Sequence, residues 1–107
     1  MSRTVSVVAD NTSSDPEVLV WPPKGPDEVL DYSIDWSNRL DEGDSVTNAT
    51  WTYAFTGVVT GQSFTGTTTT VWLENGELDK TYVLSCEIET TNSRTMQQTV
   101  NITIRAR

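Results

Sequence analysis

Leu30, Tyr32, Ile34 and Trp36 alternate with Asp31, Ser33 and Asp35, and an apolar–polar period of two belongs to a strand with one buried face. The same period returns in Ala49, Trp51, Tyr53 and Phe55, in Tyr82, Leu84, Cys86 and Ile88, and in Val100, Ile102 and Ile104. No window repeats its apolar residues at helical spacing behind a capping signal, so these segments predict an all-β chain. Shorter β-branched stretches add strands at Val58–Val59 and over 68–73, with weaker candidates at 5–8 and at 17–21, where Pro22 and Pro23 end the run. Turn signals separate them: Glu42-Gly43-Asp44, Thr60-Gly61-Gln62, Asn75-Gly76, which favours positive φ, and Thr91-Asn92-Ser93.

A chain of 107 residues has room for one core. Strands at this rhythm predict a single Ig/fibronectin-III-like β-sandwich of about seven antiparallel strands. Leu78-Asp79-Lys80-Thr81-Tyr82, just ahead of Leu84 and Cys86, resembles a tyrosine corner, whose hydroxyl bonds back to upstream backbone. Cys86 is the only cysteine, so the core holds without an intrachain disulfide, and the residue is expected inside as a small apolar group. The first 26 residues read differently. The loop-forming string Asn11-Thr12-Ser13-Ser14-Asp15-Pro16 and the Pro-rich stretch from Trp21 to Pro26 predict an extended arm with a peripheral strand, leaving 27–107 as the sandwich.

The composition argues against most chemistry. Histidine is absent, removing the commonest general base and metal ligand. Cys86 has no activating partner, and no serine occupies a nucleophile elbow. Asp31 and Asp35 lie four residues apart on one strand, about 13 Å, too far for a paired-carboxylate mechanism. Asp41, Glu42 and Asp44 lack the spaced ligands of a calcium loop and read as a solvated acidic turn. No catalytic residue, cofactor or metal is therefore expected. A net charge of −8 opposes a nucleic-acid backbone. No stretch approaches the roughly 20 apolar residues of a membrane span, and the N-terminal apolar run breaks too early for a secretory signal.

What remains is protein contact. Val71 and Leu73 claim the inward face of their strand and leave Trp72 outside, as an interface anchor, a sugar platform or a ring covered by the N-terminal arm, with the interface favoured. The arm residues Trp21, Pro22, Pro23 and Lys24 and the acidic turn residues Asp41, Glu42 and Asp44 are the other interface candidates. Seven acids crowd the stretch from Asp27 to Asp44, against Arg39 alone, while the tail carries Arg105 and Arg107; opposite signs suit complementary docking.

One block is more specific than strand patterning requires. Trp21-Pro22-Pro23-Lys24-Gly25-Pro26-Asp27-Glu28-Val29-Leu30-Asp31-Tyr32-Ser33-Ile34-Asp35-Trp36 resembles the opening of small tailed-phage fiber-tail adaptor proteins, with their Lys-x-Pro-Asp-x-Val-Leu-Asp-Tyr-x-x-Asp-Trp stretch. The likeness continues through Gly43-Asp44 and Thr50-Trp51-Thr52 and resumes at Thr70-Val71-Trp72-Leu73, Gly76, Thr81-Tyr82, Thr90 to Thr95 and a strand close to Ile102-Thr103-Ile104-Arg105; it is poor from Ala54 to Gly66 and absent before Trp21. The resemblance implies an Ig-like virion protein made in the host bacterial cytoplasm and placed in the tail or neck. There it would help attach fibers, in several copies around a symmetric assembly. Its implied partners are other phage structural proteins, tail or neck on one side and fiber subunits on the other, and it brings no catalytic residues. The alternative is a capsid-decorating or host-surface (glycan) binding Ig-like module.

Overall fold

The computed structural model describes residues 3–7 and 18–107. Val8, the Asn11–Pro16 loop and the Glu17 start of a strand therefore lie outside the described residues. Eight strands form two four-stranded sheets: β1 (Thr4–Ser6), β2 (Val18–Val20), β3 (Val29–Asp35), β4 (Val46–Tyr53), β5 (Val58–Phe64), β6 (Thr68–Glu74), β7 (Thr81–Thr90) and β8 (Thr95–Thr103). One sheet runs β1-β3-β6-β5 and the other β2-β8-β7-β4. The sandwich is Ig-like, as the alternation predicts, with two departures. The short edge strands β1 and β2 lie parallel to β3 and β8, outside any hairpin, so the ladders are not all antiparallel. Thr60-Gly61-Gln62 is no turn either. It sits inside β5 at a register shift between Val59 and Gly61, on an edge strand whose mostly exposed residues have no reason to alternate.

The inward rows of the four alternating segments meet between the sheets. Tyr32, Ile34, Val71, Leu73, Leu84, Cys86, Ile88, Val100 and Ile102 are all sealed from solvent. Full burial of each such aliphatic side chain stabilises the fold by about 1.5–3 kcal/mol. Tyr53 departs from its row: it lies at the end of edge strand β4 and stays 40% exposed.

Trp36 points its indole N–H at the Thr69 hydroxyl, 3.0 Å away, and the same oxygen lies 3.6 Å from the Cys86 thiol. The node joins the two sheets inside the core, Thr69 on β6 and Cys86 on β7. The tyrosine corner is present as well. The Tyr82 hydroxyl accepts the backbone N–H of Glu77 at 3.1 Å and shares a hydrogen bond with the Thr56 hydroxyl.

The Pro-rich stretch of the expected arm is built into this core from Trp21 onward. The Trp21 ring tilts against Tyr32 at 5.1 Å and Trp51 at 6.0 Å, and its indole N–H donates to the Ser33 carbonyl. The backbone N–H groups of Trp21 and Lys24 continue the β8 ladder by donating to the carbonyls of Asn101 and Thr103.

Candidate functional site

The expected contact residues divide among the core and three surface places. Trp21 and Lys24 are not presented to a partner, because both are turned into the chain's own interior. The Lys24 ammonium donates to the carbonyls of Gly25 at 2.9 Å and Asn75 at 2.6 Å. Burial holds its pKa below the usual lysine value, against the opposing pull of Glu28, Asp27 and Glu74. Both were expected at an interface as part of the Pro-rich arm, but the polar tip of each meets backbone carbonyls of the chain itself: Ser33 for Trp21, and Gly25 and Asn75 for Lys24.

Trp72 is on the surface, as expected. Its β6 position pairs with Asp31 of β3 on one side and Gly61 of β5 on the other. Two residues along β6, Glu74 pairs with Val29 and Val58, so the exposed Trp72, Val29 and Val58 share one outer face of the sheet. A Cβ on Gly61 would meet the indole Cδ1 at 3.6 Å; without it, that edge of the ring stays open. This is a flat apolar patch with a carboxylate rim.

The acidic turn separates into three roles. Asp41 pairs with Arg94 across the turn. Asp44 faces inward: its Oδ1 accepts the Thr91 hydroxyl at 2.7 Å, the Ser45 N–H at 3.0 Å and the Asn92 N–H at 3.1 Å. These bonds, the Thr91 hydroxyl first, hold its carboxyl below the usual carboxylate range. Asp44 is thus a clamp on the β7–β8 hairpin and not a contact residue, which corrects its expected place. Glu42 stands exposed at the tip.

At the other end of β3 lies a groove of about 420 Å³. Pro22, Pro23 and Leu30 supply its apolar surface, and Arg3, Arg105 and Arg107 its charge, with Glu28 as its one carboxylate. Pro22 and Pro23 were expected at an interface; the three arginines were not assembled by sequence reasoning, although the basic tail was a signal for two of them. Among the described residues, no three His, Cys, Asp or Glu side chains come together as a metal site. Cys86 is sealed in the core with its thiol pushed up to about 11, the reverse of an activated nucleophile.

The Trp21–Trp36 block that carries the family likeness is therefore mostly a folding element, with Trp21, Lys24, Tyr32 and Trp36 buried. Residues 24–103 match the family described as podophage GP4 fiber-tail adaptor protein gp77. The chain belongs to that family. A phage fiber-tail adaptor is a tail component, and the matched region holds β3 to β8, six of the eight strands of the sandwich. No curated protein sequence matches the chain. Two solved structures are similar in outline. The cysteine protease inhibitor EhICP2 from Entamoeba histolytica has 9% identity over 98% of this chain and 100% of its own, with a TM-score of 0.49. The PKD domain from KIAA 1837 protein has 15% identity over 92% of each chain, with a TM-score of 0.46.

Proposed function

We propose that this adaptor-family chain is a non-enzymatic structural piece that links tail or neck to fibers through protein–protein contacts, with several copies in one symmetric assembly. Membership of the fiber-tail adaptor family supports the setting. The observation that carries the contact is Trp72, 41% exposed on a sheet face beside Val29 and Val58. A large aromatic left in water contributes little to the fold it sits on, and aromatic anchors of this kind dominate protein interfaces.

Trp72→Ala tests the reading in purified chain and in assembled particles. The variant keeps its circular dichroism and melting temperature, while fiber attachment falls by about the 30-fold or more expected of a hot-spot residue. Unchanged attachment, or unfolding of the variant, overturns it. Binding of wild-type chain to a glycan array, lost in Trp72→Ala with attachment intact, would favour the host-surface module instead.

A further inference from the structure

Three of the chain's seven Lys and Arg residues, Arg3, Arg105 and Arg107, meet in the single groove described above. Two of them are engaged. Arg3 pairs with Asp31 at 3.2 Å, and Arg107 bonds the Pro23 carbonyl at 2.7 Å and pairs with Glu28 at 3.4 Å. Arg105 is different. Its backbone N–H is pinned to the Lys24 carbonyl at 2.9 Å, while its exposed guanidinium has no ion pair or hydrogen bond among the described residues.

The acidic turn presents the complement. Arg94 takes Asp41, and Asp44 is consumed by Thr91, Asn92 and Ser45. Glu42 alone has no partner among the described residues, and it stands on an exposed tip beside Gly43, whose φ of 81° makes the reversal tight. An unpaired base and an unpaired acid thus occupy opposite ends of β3. Its seven residues, rising about 3.3 Å each, hold those ends roughly 20 Å apart. One molecule cannot close this pair on itself.

We infer that the Glu42 turn of one copy docks into the Arg105 groove of the next, head to tail. This rests on the several-copy part of the function proposed above. A second copy is the occupant the chain itself supplies. The Asp41-Glu42-Gly43 tip is small enough for a groove within the roughly 300–1,000 Å³ range of ligand pockets, too small for a folded element. Such a contact is heterologous, so repetition closes into a ring or extends as a filament. Exposed ion pairs are individually weak and screened by salt, so the contact forms best at low ionic strength and gains from many copies held together.

Sedimentation at low salt and high protein concentration tests this with full-length chain, Arg105→Glu, Glu42→Ala and their equimolar mixture. Both sites are exposed, so the variants keep the wild-type circular dichroism. Wild-type chain associates in a salt-sensitive way, and each variant alone stays monomeric. The mixture forms only a one-to-one pair, because Arg105→Glu retains the turn and Glu42→Ala retains the groove. A monomeric wild type, variants that associate like wild type, or a mixture that stays monomeric overturns the inference. Fiber attachment by a chain that fails these tests would leave the adaptor reading standing and remove only the contact between copies.

Discussion

The Lys24 ammonium reaches across the fold to donate to the carbonyl oxygen of Asn75 at 2.6 Å. Asn75 and Gly76 form the β6–β7 reversal with φ of 65° and 112°, so its carbonyls are not used in a ladder. A fully buried cation caps that reversal and joins it to the stretch ahead of β3. Half of the bond lies in the block that marks the family; the other half is 51 residues away.

Replacing Lys24 by Met keeps the length of the stem and removes the donor. The carbonyls of Asn75 and Gly25 then lose a charged partner, at a cost of about 2–3 kcal/mol. Urea unfolding of Lys24→Met measures it. A variant as stable as wild type would show that the ammonium contributes only by filling space.

Gly57 admits no side chain. A Cβ there would lie 2.3 Å from the Glu74 carbonyl oxygen, 2.6 Å from the Phe55 ring and 2.7 Å from the Gly76 nitrogen. Two of these are backbone atoms of the β6–β7 reversal, which cannot give way independently. Gly57→Ala is therefore expected to destabilise by about 3 kcal/mol or more, the upper range for overpacking. Gly61→Ala, where the nearest contact is an ordinary 3.6 Å, serves as its control in the same melting experiment and loses far less.

Tyr82 was legible in sequence, and the structure gives its bonds. Phenylalanine at this position fits the ring packing against Phe55, whose centroid lies 4.8 Å away edge-on. It leaves the Glu77 N–H and the Thr56 hydroxyl without the Tyr82 oxygen. Tyr82→Phe should lower stability by about 1–2 kcal/mol, as measured by denaturant midpoint. An unchanged midpoint would mean water replaces the hydroxyl at no cost.

The difference between what the sequence shows and hides is one of range. Alternation is local, so the rows through Tyr32, Trp51, Leu84 and Ile102 could be placed inward, and Val83 and Trp72 outward, from neighbours alone. β5 could not be read to its full length, because Gly61, Gln62 and Ser63 on an edge strand carry no buried face to impose a period. Trp21 and Lys24 defeat local reading for another reason: their burial depends on Ser33 and Asn75, which only the fold brings near. The groove is the extreme case, since Arg3 and Arg105 come from opposite termini and only the sign of the tail hinted at it.

Cys86 makes stability fall in alkali. Burial raises its thiol from 9.0 to about 11, with the Thr69 hydroxyl pulling weakly the other way. The folded value lies above the unfolded one, so the contribution is complete below about pH 9 and is lost as the pH rises towards about 11. Two pH units of displaced titration correspond to a loss on the order of 3 kcal/mol. Tyr32, raised by burial from 10.0 to about 12, continues the fall at higher pH, while Lys24, lowered by burial, acts in the opposite sense just below 10.5. Cys86→Ala separates these effects. It costs roughly 1 kcal/mol near neutrality for the missing sulfur but removes the loss between about pH 9 and 11. Its urea midpoint should therefore draw level with wild type, or pass it, as the pH climbs through that window. Curves that stay parallel would show that the thiol ionises without unfolding the chain, through an opening that admits water to the Thr69 node.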